Sequence, residues 1–198
     1  MGQRTQILVI RKNAQGEKKA KMYHHQWGFG RTMYLALIDC FINDYNKDPF
    51  VNKYNFIDNK NFGCFDKNLT DITPSKQKTK FDREFTDVLN SIDVNDINTI
   101  KRVFKYGDNN NGGLVIYIKE DKECKYNSAD FTIGFLLGND DSYTYEGNIR
   151  KEIEKPFSRW LTPEEYGKMN GGSKYSDENF VKIFTDFCKY FGIKYFEN

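Results

Sequence analysis

Residues 4–26 read RTQILVIRKNAQGEKKAKMYHHQ, and how they fold decides the architecture. Ile7, Leu8, Val9 and Ile10 form an apolar, largely β-branched run, which predicts a strand over residues 4–11. The stretch NAQGEK at 13–18 supplies the Asn and Gly of a tight turn. Residues 19–26, KAKMYHHQ, then read as a second strand that completes a hairpin. The two-residue period of a strand sends Met22, His24 and Gln26 to one face and Tyr23, His25 and Trp27 to the other. The neighbouring histidines therefore point opposite ways, and at most one of them shares a site with Trp27.

Working outward, Gly28 and Gly30 end the strand. Met33, Leu37, Ile38, Phe41 and Tyr45 recur at helical spacing and predict a helix over 32–45, closed by Asp48 and Pro49. Residues 50–57 are compatible with a strand, and 58–80 read as a long, polar surface loop of the kind that often binds. Phe81, Phe85, Val88, Leu89 and Ile92 mark a second helix, and Ile97, Ile100, Val103 and Phe104 a short third one. GDNNNGG at 107–113 is a turn, LVIYIK at 114–119 is the clearest strand, and 130–138 is its antiparallel partner. Residues 138–148 read as a loop. Thr162 with Pro163 starts a capped helical turn, and Ser176 caps a last helix with a stripe of Phe180, Ile183, Phe184, Phe187 and Phe191 that stops at Gly192.

The expected fold is a single α+β domain over 1–198. An antiparallel sheet, built from the N-terminal and central hairpins, is packed by helices that include a long C-terminal one. Residues 156–198 are a candidate small helical lobe. The lack of alternating strand–helix–strand units argues against a Rossmann-type sheet.

Composition narrows the function classes. Aromatics reach 16% of 198 residues, enough large side chains to build a core despite 29% charged content. A net charge of +2 argues against both a global nucleic-acid mimic and a DNA-coating protein. The charge is uneven, however. Arg4, Arg11, Lys12, Lys18, Lys19, Lys21 and Arg31 stand against Glu17 at the start, while Asp82, Glu84, Asp87, Asp93 and Asp96 stand against Arg83 further on. Cys40, Cys64, Cys124 and Cys188 form no close-spaced pair, so neither a structural zinc nor any other metal or cofactor is expected. No signal-peptide pattern and no apolar run of about 20 residues is present, which sets the expectation of a cytoplasmic protein with reduced cysteines and no membrane partner.

The candidate site residues are His25, Trp27, Gly28, Gly30, Arg31 and Thr32. A glycine turn entering a helix presents free N–H groups and a positive dipole end, and Arg31 can add a bidentate anion contact. The spacing is not a P-loop, and Met33 stands where a dinucleotide-binding GxGxxG needs its third glycine. His25 has acid–base competence near neutral pH, but no GxSxG elbow accompanies it. Catalytic residues are therefore not assigned, and an enzyme is the less favoured class. Trp27 and Trp160 are each read as a core staple or a stacking platform, with Arg159 and Lys155 able to lie over Trp160.

MGQRTQILVI followed by YHHQWGFGR resembles a class of small phage and prophage proteins that begin Met-Gly-x-Arg and carry a His–Trp–Gly element after the first hairpin. The matching residues are Gly2, Arg4, Ile7, His25, Trp27 and Gly28, within about the first 30 residues. The abundance of Asn, Lys, Tyr, Ile and Phe fits an A/T-rich genome of that kind. The resemblance implies a source and not a chemistry. From it follows the expectation of a phage- or mobile-element-encoded protein-binding module. It would inhibit a bacterial defence system, in the manner of an anti-CRISPR, by contact with a host protein such as a defence nuclease or its nucleic-acid complex. The alternatives are a phosphate- or nucleotide-ligand enzyme or sensor using His25, Gly28–Gly30 and Arg31, and a nucleic-acid binder using the basic N-terminal hairpin with Trp27.

Overall fold

The computed structural model of the chain describes residues 4–26, 69–107, 112–120, 130–136, 143–146, 149–152, 159–162, 165 and 177–198. The opening segment folds as its pattern requires. Strand β1 (Arg4–Lys12) pairs antiparallel with β2 (Lys18–Gln26), in a register that sets Gln6 opposite His24 and Leu8 opposite Met22. Asn13 closes the turn: its side-chain oxygen accepts from the N–H groups of Gln15 and Glu17, and Gly16 takes the positive φ of 89° that the reversal needs.

Strands β3 (Leu69–Asp71), β4 (Gly113–Lys119), β5 (Asp130–Leu136) and β8 (Ile193–Tyr195) join this hairpin in a six-stranded sheet of order β3-β2-β1-β4-β5-β8. Strands β6 (Tyr143–Glu146) and β7 (Ile149–Glu152) form a separate two-stranded ribbon. Three helices are described: α1 (Lys80–Asn90), α2 (Ile97–Phe104) and α3 (Asp177–Phe191).

The α+β expectation stands, but the sheet is mixed and not antiparallel. The two hairpins lie side by side through β1 and β4, and that junction is parallel because helices intervene between them. Likewise β8, which follows β5 by way of the β6–β7 ribbon and α3, lies parallel to β5, a pairing that the sequence pattern did not suggest. Two stretches read as loops hold strands. Residues 69–71 of the long polar segment pair with the end of β2, and 143–146 pair with 149–152. The predicted helix over 32–45 and the strand over 50–57 lie outside the described residues.

Central strands explain the unbroken apolar runs. Ile7, Leu8 and Ile10 of β1 and Leu114, Val115 and Ile116 of β4 are wholly buried, as expected when both faces of a sheet are covered. On one face, α1 and α2 pack Phe85, Leu89, Ile100, Val103 and Phe104 against Leu8, Ile10, Met22 and Val115. Helix α1 starts at a reciprocal capping box: Thr79 accepts from the Asp82 N–H, and the Asp82 carboxylate accepts from the Thr79 N–H. Asp96 caps α2 by accepting from the Asn98 N–H at 2.9 Å. Gly192, at φ 61°, turns the chain from α3 into β8. Phe81, placed on the buried stripe of α1 by its spacing, is instead 54% exposed, because it sits in the first turn and rests on Tyr106 at the surface.

Candidate functional site

Two regions bear on function: the open end of the β1–β2 hairpin and a groove beside β8. At the hairpin end the pleat separates the histidines as expected, since Gln6 faces His24 and Thr5 faces His25. His24 is fixed by two neighbours on its own face. Its Nδ1 lies 2.8 Å from Gln6 Nε2, and its Nε2 lies 3.1 Å from Gln26 Oε1. With the Gln6 Nε2 group donating and the Gln26 Oε1 carbonyl accepting, the two contacts match the imidazole tautomer protonated on Nε2. His25 has its pKa lowered, chiefly by burial and then by His24, so it is held toward the neutral form. Trp27, Gly28, Gly30, Arg31 and Thr32 lie outside the described residues, so of the sequence-predicted site only His25 is placed.

The groove is built from one row of the sheet. The register aligns Ile10 with Tyr117, Tyr117 with Thr132 and Thr132 with Lys194, so Tyr117, Thr132 and Lys194 adjoin on a single face. In the next row Gly134 lacks a side chain, and the rings of Trp160 and Phe196 settle over it, stacked with centroids 4.4 Å apart at 13°. Trp160 bridges to the end of β5 at Leu136, and Asn198 grips its main chain. The Trp160 N–H donates to Asn198 Oδ1 at 2.7 Å, and Asn198 Nδ2 donates back to the Trp160 carbonyl at 3.0 Å. The opposite wall comes from Val94, Asn95 and Ile97 at the α1–α2 junction. These elements enclose an open groove of about 960 Å³, floored by Tyr117 and Thr132 and reaching along the chain to Asn198.

Its electrostatics are local. The Arg159 guanidinium makes a two-pronged contact with the Glu165 carboxylate, with Nη1 2.6 Å from Oε2 and Nη2 bonded to Oε1. Glu165 closes a second capping box with Thr162, the residue expected to cap there, and so links the cap to the ion pair. Arg159 hydrogen bonds, then the Thr162 contacts, hold the Glu165 carboxyl below its usual range against the opposing effect of burial. Lys194 reaches Asp130 at 3.4 Å, with both side chains mostly exposed, so this pair contributes little. Burial first, then Asp130 and Asp93, push the Tyr117 hydroxyl up, so it stays a neutral hydrogen-bonding group at neutral pH.

The described residues contain no group of three or more His, Cys, Asp or Glu side chains able to hold a metal ion. Cys188, buried in α3, has its thiol pushed up to about 12 by desolvation, which removes thiolate chemistry there. Among the described residues no helix is long and apolar enough to cross a membrane. Sequence reading singled out Trp160 and Arg159 but missed Tyr117, Thr132, Lys194 and Asn198, which only the strand register brings together. The available signal was Gly134, a glycine inside a strong strand, which marks a close approach. No family model, no curated protein and no solved structure matches this chain.

Proposed function

We propose that this chain is a protein-binding module whose contact surface is the groove beside β8, and that it acts as a phage- or mobile-element-encoded inhibitor of a host defence protein. The groove itself carries the reading: about 960 Å³ of open space between Tyr117, Thr132, Trp160 and Phe196, with Arg159 at one side. Aromatic residues and arginine are the side chains that dominate binding energy at protein interfaces. The origin and the defence-system target rest on the resemblance of the first residues to phage proteins.

The test is affinity capture from a bacterial host lysate with the wild-type chain and with Thr132→Trp, which fills the groove floor with a good strand former. A stoichiometric partner held by the wild type and lost by Thr132→Trp, with circular dichroism unchanged, is expected. Capture that ignores the filled groove, or no stoichiometric partner at all, contradicts the proposal.

A further inference from the structure

We propose that residues 159–161 and 196–198 form one clasp on β5 that opens and shuts as a unit and so gates the groove. On the side away from β4, β5 is covered by two pieces of chain set end to end. Strand β8 covers its first half, pairing Phe131 with Ile193 and Ile133 with Tyr195, and the Phe196 N–H extends the ladder by donating to the Ile133 carbonyl at 2.9 Å. The segment at Trp160 covers the second half. It bridges to Leu136, and the Leu161 N–H donates to the Phe135 carbonyl at 3.0 Å. The two pieces meet over Gly134, although Trp160 and Asn198 stand 38 residues apart in the chain.

Asn198 joins the pieces. Its carboxamide accepts from the Trp160 N–H at 2.7 Å and donates to the Trp160 carbonyl at 3.0 Å, as a second backbone would in a sheet. The stacked rings of Trp160 and Phe196 make the other joint. Neither piece leaves β5 without breaking both joints, so the two part from it together. They also part before the centre of the sheet does. The clasp holds β5 by the Phe196 and Leu161 N–H groups and the bridge at Trp160, whereas β4 is paired along Gly113–Lys119 with β1 on one side and β5 on the other. A segment with so few backbone bonds belongs to the low-stability end of a fold. Arg159, Trp160, Phe196, Glu197 and Asn198 all line the groove, so its wall exists only while the clasp is shut, and any occupant stabilises the shut form. The clasp belongs to the chain alone and does not depend on what fills the groove.

Native-state hydrogen exchange of the full chain, followed by NMR, tests this. In the wild type the Leu161 and Phe196 amides should share one protection factor, within about threefold, and it should lie at least about tenfold below that of the buried Ile116 in β4. Asn198→Ala should speed exchange at both by roughly fivefold, the worth of two partly exposed hydrogen bonds, although their N–H groups donate to β5 carbonyls and not to Asn198. Acceleration that spares Leu161 would show that the pieces part separately, and would overturn the proposal. Protection of Leu161 and Phe196 equal to that of Ile116 would overturn it too, because the pieces would then open only with the whole fold.

Discussion

Replacing Gly134 by alanine should loosen the wall of the groove and the fold together. The new Cβ would lie 2.6 Å from Trp160 Cε3, 2.8 Å from its Cζ3 and 2.8 Å from Phe196 Cδ2. Carbon atoms in contact sit about 3.5–4.0 Å apart, so one or both rings must withdraw by about 1 Å. Neither has easy room. The rings are stacked on one another, and Trp160 is held at its N–H and its carbonyl by Asn198. Overpacking of this kind costs about 1–3 kcal/mol, and the lower chain entropy of alanine in the unfolded state offsets about 0.5–1 kcal/mol of it. The net loss is then about 1 kcal/mol, within roughly 0–2.5 kcal/mol. With a urea m-value of about 2 kcal/mol/M, the midpoint should fall by roughly 0.5 M. Urea titration followed by far-ultraviolet circular dichroism reads this directly, and native-state fluorescence reports the displaced indole. In a Phe196→Ala background the penalty should shrink, since one of the two obstructing rings is gone. A midpoint unchanged or raised by Gly134→Ala, with unaltered fluorescence, would refute the packing that creates the groove.

Other outcomes follow from single contacts. Thr79→Ala removes the cap of α1 and should cost about 1 kcal/mol in chemical denaturation. The same change should move the Asp82 titration up by only part of its shift in NMR, because the Thr79 backbone N–H, the largest cause of its lowered pKa, is kept and only the side-chain hydrogen bond is lost. His25 is held toward its neutral form, so the unfolded chain binds more protons as pH falls below about 6.5; stability should therefore drop from there down through the lowered folded pKa, and His25→Gln should flatten that part of the stability–pH curve. Cys188, with its thiol at about 12 and its side chain buried, should resist alkylation at neutral pH in the native protein and react in denaturant, as peptide mapping would read.

The hairpin at the start of the chain was legible because three local signals agree: a largely β-branched run, a turn carrying Asn13 and Gly16, and an alternating second strand. The same holds for β4 with β5, for α1 and α2, and for the stop of α3 at Gly192. What sequence pattern did not disclose was non-local. The parallel meeting of β1 with β4, and of β5 with β8, depends on how distant segments close on each other, which no local period encodes. Strand β3 was hidden because Leu69, Thr70 and Asp71 are too few to show alternation. The histidine pair drew attention as the rarest titratable type in the chain, and strand geometry correctly divided it. The groove went unread because Tyr117, Thr132 and Lys194 meet only through the register. Trp160 looked ambiguous until Gly134 gave its ring a place to lie.

The sharpest discrimination between the groove and the hairpin corner uses the two tryptophans, Trp160 in the groove and Trp27, which follows β2 in the sequence. In an NMR titration of the full chain with the host protein retained in affinity capture, the two indole N–H signals are assigned by Trp160→Phe. The groove reading predicts a progressive shift of the Trp160 signal and of the Tyr117, Thr132 and Tyr195 amides, with Trp27 unmoved. A shift of Trp27 while Trp160 and those amides stay still would contradict it.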